Sequence, residues 1–384
     1  MRLSDCHNTG DFRRLARRRL PAPIFHYIDG GADDEVTLRR NTEAFNCWDL
    51  IPNVLAGMDS TDLSVTVLGR KLDLPLFFAP TALQRMFHHD GELAVARVAE
   101  KMGTMFGIST IATTSIEQIG ALTSAPKLFQ LYIHKDKGLN ADLIARCREN
   151  HFDALALTVD TIVGGNRERD FYHGLTAPPR LTPVGLLSFA MHPNWTLNYL
   201  FRKKFELANV AGYIKQGTDI SSSVVDYLNS QLSPGISWDD AQRLVEEWGG
   251  PFAIKGIMSV ADARRAVEIG ATAIMVSNHG GRQLDGSRAP MDQLAAIVDA
   301  VGGQIEIILD GGIRRGTHVL KALAMGATAC SGGRMYLFAL AAAGEAGVER
   351  AMLLLREEIA RDMMLMGCKS IRELDRSKLA RVPA

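Results

Sequence analysis

The chain has no net charge. Its 43 Lys and Arg are matched by 43 Asp and Glu. Without the basic surplus that a phosphate backbone attracts, nucleic acid is not expected as a partner. Cysteine is scarce and scattered: Cys6, Cys47, Cys147, Cys330 and Cys368 are odd in number and include no CxxC pair. A disulfide framework and a structural zinc site are therefore not expected, and a reducing compartment is the simpler setting. No apolar run approaches the ~20 residues that span a bilayer. The N-terminus lacks the apolar stretch of a secretory signal, so a cytoplasmic setting is expected. No Walker loop occurs, and no GxGxxG follows a strand, which disfavours a dinucleotide-binding Rossmann domain. No His/Asp/Glu group has metal-ligand spacing, so no metal is expected.

What remains is an ordinary folded composition, 47% hydrophobic and 22% charged, with 35 glycines to serve tight turns and close backbone approaches. Eight short apolar runs end in polar or glycine residues. They begin at Leu74, Thr104, Lys127, Ala154, Pro251, Ala273, Ile305 and Ala327. Near-continuous apolar character suits strands buried on both faces of a parallel sheet. Helical spacing recurs between them, at 91–100, 259–268 and 317–324. Thr114–Glu117 reads as a capping box ahead of another helix. The expected fold is α/β, a (β/α)₈ TIM barrel, with a long insertion after strand 4 and an N-terminal helical arm. The expected boundaries are an arm over 1–73, barrel segments over 74–160 and 251–340, an insertion or lid over 161–250, and a C-terminal helix and tail over 341–384. Basic, amphipathic 11–20 reads as the first helix, stopped by Pro21, and 348–366 as a closing helix.

Active sites of such barrels lie at the C-terminal ends of the strands. Thr81, Ser109, Gln130, Tyr132, Thr158, Asp160, Lys255, Ser277, His279, Arg282, Asp310 and Arg334 fall there. Each alone has a structural reading, such as a helix cap. Together they bring a base, acids and cations into one ring. His279 follows a buried run, and Gly280-Gly281 allows a sharp turn before Arg282. A histidine accepts a proton near neutrality, and an arginine grips a carboxylate with a two-pronged fork. A base beside a carboxylate clamp suits chemistry at the carbon next to that carboxylate. Asp160 can pair with the imidazolium. The glycine-rich stretches after the last two runs, 310–316 and 332–334, sit where barrels bind phosphate.

These residues carry a resemblance. SNHGGRQLD (277–285), DGGIRRG (310–316), FQLY (129–132), TVD (158–160), APTA (79–82) and Tyr27 resemble the FMN-dependent L-2-hydroxy-acid dehydrogenase and oxidase family over nearly the whole chain. The resemblance implies FMN as cofactor and L-lactate dehydrogenase of the cytochrome- or quinone-linked type as the activity. It implies His279 as catalytic base, Asp160 as its charge partner, and Tyr132 near the substrate hydroxyl. Tyr27, Arg282 and Arg167 would hold the substrate carboxylate, and Lys255 the pyrimidine edge of the flavin. Ala82, Ser109, Gln130, Thr158 and Ser277 match flavin-ring contacts. Asp310, Gly312, Arg314, Gly333 and Arg334 match ribityl and phosphate contacts. Ile111 stands where glycolate oxidases carry tryptophan, Ala82 where mandelate dehydrogenases tend to have glycine, and Met335 where proline or alanine is common.

Electrons would pass from a small 2-hydroxy acid to a quinone or cytochrome. A peroxide-forming oxidase and an (S)-mandelate-type dehydrogenase are alternatives, and from another class an FMN barrel isomerase without net redox. Removal of the proton from carbon or from the hydroxyl stays open. A homo-oligomer, a tetramer in many relatives, is implied. Segment 185–204 mixes apolar, aromatic and basic residues. It reads either as a peripheral membrane contact at the inner face of the membrane or as a lid or oligomer contact.

Overall fold

The structure is a computed structural model that describes residues 1–175, 182–202, 206–213 and 235–383. Eight parallel strands close into a barrel. They are β1 (Leu76–Thr81), β2 (Phe106–Ser109), β3 (Lys127–Leu131), β4 (Ala154–Thr158), β5 (Phe252–Ile257), β6 (Ala273–Val276), β7 (Glu306–Asp310) and β8 (Ala329–Gly332). Each pairs with the next in sequence, and β8 closes on β1 with Ser331 opposite Phe77. All eight apolar runs are strands of this barrel.

Side-chain alternation explains why the runs are continuous. Phe77, Leu128, Ala154, Ala156 and Ile308 pack inside the barrel, while Leu76, Phe78, Phe129, Leu155, Leu157 and Leu309 pack outward against the helices. Both faces are dry, so both residue sets are apolar. Many interior residues are alanine, which fits a narrow bore. A hairpin of two short strands, Val65–Val67 and Arg70–Leu72, caps the N-terminal mouth. Its Val67, Leu68 and Leu72 join the interior cluster, and the Leu68 amide donates to the Glu306 carboxylate at the start of β7 (2.7 Å).

The arm holds α1 (Thr9–Arg19), α2 (Ala22–Asp29) and α3 (Val36–Glu43). Around the barrel follow α4 (Gly91–Lys101), α5 (Ile116–Leu122) and α6 (Lys137–Glu149). After β4 come α7 (Glu168–Tyr172), α8 (Pro183–Ala190) and α9 (Pro193–Phe201), then α10 (Trp238–Trp248) leading into β5. The circuit ends with α11 (Val260–Glu268), α12 (Pro290–Val301), α13 (Gly316–Met325) and α14 (Arg334–Met366). The tail strand Leu379–Arg381 pairs antiparallel with Trp48–Leu50, tying the C-terminus to the arm.

Two local expectations need correction. The capping box before α5 is one residue later than expected: Ser115 caps the amide of Gln118, and Gln118 returns the bond. Thr114 is drawn away because its hydroxyl bonds the buried Glu92 carboxylate (3.0 Å). The closing helix starts at Arg334, well before 348, and is broken at Ala343 and Gly344. Gly344 has φ of +60°, and a Cβ there would lie 2.5 Å from the His88 ring. Glycine is needed at that break for both reasons.

Glu92 is fully buried on α4. It accepts the backbone amides of Gln84 (3.2 Å) and Thr113 (2.9 Å) and the hydroxyls of Thr113 (2.5 Å) and Thr114 (3.0 Å). One carboxylate thus ties down the loops that leave β1 and β2. A hydroxyl can reverse its bond; a backbone amide cannot. Glu92→Gln is therefore expected to lower unfolding stability by about 2 kcal/mol, read by urea denaturation of the cofactor-loaded protein. An unchanged midpoint would show that the loops hold without the charge.

Candidate active site

A cavity of about 580 Å³ opens at the C-terminal ends of the strands. His279 stands on its wall in a strained turn. His279, Gly280 and Gly281 have φ of +57°, +65° and +72°. A histidine in the left-handed region costs free energy, and such strain collects at functional sites. The turn is held by Asn278, whose side-chain oxygen accepts the Gly281 amide (3.1 Å) and whose amide trades bonds with Asn41 of α3 (2.7 and 2.8 Å). Gly281 has no room for a side chain, since a Cβ would lie 2.6 Å from the Leu38 backbone nitrogen.

Behind His279, its Nδ1 meets Asp160 Oδ1 at 2.9 Å. That contact leaves Nε2 as the nitrogen free to act as base. Burial would raise the Asp160 carboxyl, but His279 and Lys255 outweigh it and bring it down to about 2. Burial lowers His279 and outweighs the opposing pull of Asp160. The pair therefore stands at neutral pH as a carboxylate beside a neutral imidazole.

Across the barrel, Lys255 at the end of β5 reaches Asp310 Oδ2 and Ser277 Oγ, both at 3.2 Å. Burial would lower this ammonium, but Asp310 and Asp160 overcome it and raise its pKa, so it stays charged. Asp310 also accepts from Ser277 (2.7 Å) and Ser331 (2.6 Å). Ser277 thus lies beneath Lys255 and Asp310 and is absent from the cavity wall. Gln130 and Thr158 do line the cavity. Ser109 donates to the side-chain oxygen of Gln130, Oε1 (2.7 Å), while Gln130 Nε2 and Thr158 Oγ1 are buried without partners. Buried polar atoms without partners are rare and point to a ligand.

The end expected to take the phosphate lies beyond β7 and β8. Arg314 lines the cavity. Burial draws its pKa down to about 10. Among the described residues its guanidinium donates only to its neighbour's carbonyl, Ile313, and no carboxylate forms an ion pair with it. Gly312 and Gly333 also line the cavity. Gly312 lets the backbone come close to α3: a Cβ would lie 1.9 Å from the Asn41 carbonyl oxygen. Arg334 is spent partly on the arm, donating to Ile28, Gly30 and Gly280 carbonyls at 2.7–2.8 Å. Orphaned donors along the strand ends and an unneutralised arginine at the far end fit a hydrogen-bonding ring with a phosphate tail, the donor set that FMN needs.

The arm closes the other side. Arg282 donates to the Tyr27 carbonyl (2.6 Å), and its guanidinium lies 4.9 Å from the Tyr27 ring centroid. Arg167 lines the cavity with Tyr27, Tyr132 and Arg282, and its Nε is buried without a partner. The wall between them is apolar: Leu83, Phe87, Ile111 and Leu175.

Every residue expected at the site falls in this region. Asp160 and Ser277 stand behind the lining side chains; the others are on the wall. Two were missed. Asp170 lines the cavity; burial raises its pKa against the pull of Arg282 and Arg167. Thr161 bonds both Asp160 and His279 (3.0 and 3.1 Å). Its place directly after the strand-end Asp160 was the available signal. The expectation about metal-ligand spacing also needs correction. Ligand atoms of His88, His89 and Asp90 lie within 4.8 Å of one another. The two rings stack with centroids 4.2 Å apart, and His88 Nδ1 already accepts the Asp90 amide (3.3 Å).

The family model described as FMN-dependent dehydrogenase matches residues 16–381. An L-lactate dehydrogenase of Alcaligenes faecalis is 40% identical over 377 residues, covering 97% of this chain and 98% of the relative. Glycolate oxidase 1 of Oryza sativa subsp. indica is 38% identical, covering 98% and 96%. Among solved structures, a monotopic membrane protein, (S)-mandelate dehydrogenase, superposes with a TM-score of 0.94 at 32% identity, covering 98% of this chain and all of that one.

Arg314 supplies the test of the anion end. Arg314→Gln is expected to weaken FMN binding by about tenfold or more, the loss of one charge-assisted contact. Flavin fluorescence released on dilution measures it. Unchanged retention would move the phosphate elsewhere.

Proposed function

The chain belongs to the FMN-dependent dehydrogenase family, and on that premise we propose that it oxidises L-lactate to pyruvate and passes the electrons to a quinone or cytochrome. FMN-dependent oxidation of a 2-hydroxy acid is the family's chemistry. The observation that carries the reading is the facing of a neutral, carboxylate-backed His279 with a pair of arginines, Arg167 and Arg282, in one cavity. When bound, FMN supplies the two-electron acceptor; the remaining work falls to side chains. Arg282 and Arg167 bind the substrate carboxylate, and Tyr27 fixes the Arg282 guanidinium from beneath. Tyr132, buried at the cavity wall, orients the hydroxyl. His279 Nε2 takes a proton as the substrate loses two electrons, and Asp160 stabilises the imidazolium so formed. Lys255 offsets negative charge on the opposite side.

The apolar wall of Leu83, Phe87, Ile111 and Leu175 supports a 2-hydroxy acid with an apolar side chain and disfavours a second charge. Lactate is the first such acid. Mandelate is the second reading, favoured by the structural relative that acts on it.

The exposed face of α8 and α9 supports contact with a membrane surface. Val184 is 73% exposed and Phe201 83%, with Leu187, Met191 and Leu200 also above half, and Arg202 follows. No helix among the described residues is long and apolar enough to cross a membrane. The segment expected to make this contact was 185–204; its last two residues lie outside the described ones. The same reading includes assembly of the chain into a homo-oligomer.

Anaerobic L-lactate is expected to bleach the flavin, with slow return of colour in air; rapid return would identify an oxidase, and no bleaching would remove lactate as substrate. His279→Ala should keep its flavin but lose roughly 10³-fold in the rate of bleaching. A base must be unprotonated to work. Since burial lowers His279 from the ordinary 6.5, the acid limb of kcat/KM should be centred below pH 6.5. A fall centred above 6.5 would reject His279 as the base.

The membrane reading predicts cosedimentation with vesicles containing anionic phospholipid, reduced by Leu187→Glu combined with Phe201→Glu. Full recovery in the supernatant would assign the apolar face to a lid or subunit contact.

A further inference from the structure

Asp160 is used unevenly. Its Oδ1 takes His279 Nδ1 (2.9 Å) and the Thr161 hydroxyl (3.0 Å), while Oδ2 is buried with no partner. The Thr161 hydroxyl also lies 3.1 Å from His279 Nδ1. Two groups thus meet at one carboxylate oxygen, although a second acceptor oxygen on the same carboxylate has no partner. Two hydroxyl contacts fix the rotation of Asp160 and the ring plane of His279 together. Thr161 itself lines the cavity, and its rotamer freedom is small because its Cβ is branched.

We propose that Thr161 is a positioning residue for the base: its hydroxyl locks Asp160 Oδ1 onto His279 Nδ1 and withholds part of that oxygen's charge from the imidazole. The inference rests on His279 acting as the base. A carboxylate oxygen that already accepts a hydroxyl proton is a weaker acceptor for the imidazolium. Without Thr161, Asp160 would turn its full charge on His279 and also gain freedom to offer Oδ2 instead. The first effect makes the base harder to deprotonate; the second loosens its aim. Other charges facing His279 are Lys255 and Arg167, which both disfavour the imidazolium, with Tyr132 and Arg282 on the same cavity wall. Of these only Tyr132 also meets the Thr161 side chain, so the substrate-free titration of His279 is the readout that separates the two.

The test uses the FMN-loaded protein with Thr161→Val, which keeps the branched shape and removes the hydroxyl. Thr161→Ser keeps the hydroxyl, and Thr161→Ala serves if valine fails to retain flavin. The His279 titration is followed by NMR of labelled histidine, assigned by its disappearance in His279→Asn. This readout needs no substrate. In Val or Ala the titration should move to higher pH, and the acid limb of kcat/KM for flavin reduction should move with it. kcat/KM at its optimum should fall about tenfold, the usual worth of one hydrogen bond to a charged group. Thr161→Ser should stay within about twofold of the parent on both. An unmoved or lowered titration in Val and Ala would overturn the proposal. So would a serine variant that behaves like valine, since that makes the methyl group the important part. If the titration moves while no 2-hydroxy acid reduces the flavin, the positioning role stands and the assigned reaction falls.

Discussion

The site is governed by a local excess of positive charge in a chain that has none overall. Arg167, Arg282, Arg314, Arg334 and Lys255 face the cavity, against Asp170 and Asp310 on its wall and Asp160 just behind it. Lys255 is neutralised by Asp310. The arginines are met mainly by backbone carbonyls, which orient a guanidinium without cancelling its charge. Partial burial makes each unneutralised cation costly and each anion that arrives strongly held. Two separate anion positions follow, one beyond β7 and β8 near Arg314 and one beneath the arm near Arg282. A phosphate-bearing cofactor and a carboxylate substrate satisfy that field in the order in which the barrel presents it.

The arm is part of this arrangement. Arg282 and Arg334 spend donors on carbonyls of Tyr27, Ile28 and Gly30, so the arm shapes the arginines while they pin the arm. The segment carrying Arg167 is stitched to the same stretch. Asn166 bonds Asp33 (2.7 Å), and Arg169 pairs with Asp29 (2.9 Å) and Glu35 (2.5 Å). Arg167 and Arg282, the arginines proposed to hold the substrate carboxylate, are therefore both placed by contacts to 27–35. A change in the arm would be felt at the substrate carboxylate before it was felt in the barrel.

The barrel was legible because each strand reports two dry faces with one apolar run, and because a polar residue closes several of those runs. Thr81, Thr158 and Asp310 each end a strand in the structure. Less legible was whatever depends on contacts distant in sequence. Thr114 looked like a cap until Glu92 claimed its hydroxyl. Ser277 looked like a lining residue until Lys255 and Asp310 closed over it. Gly344 carried no visible signal, since the reason for it, the ring of His88, lies some 250 residues away in the chain. Thr161 was adjacent to a residue already singled out, yet a hydroxyl that acts through a neighbour leaves no pattern of its own.

The division of labour between the two ends of the cavity follows from what each carboxylate faces. Asp310 sits against an ammonium and two hydroxyls, so its charge is spent in the ground state and Lys255 stays protonated. Asp160 sits against a neutral imidazole, so its charge is only partly used until a proton arrives. One carboxylate fixes a positive charge in advance; the other waits to stabilise one that forms during the reaction. A residue that tempers the second carboxylate without removing it, the role proposed for Thr161, adds to the burial that keeps His279 unprotonated in the ground state while leaving Asp160 able to respond once the proton has moved. Transition-state stabilisation requires that difference between the two states, since an interaction equally strong in both would not speed the reaction.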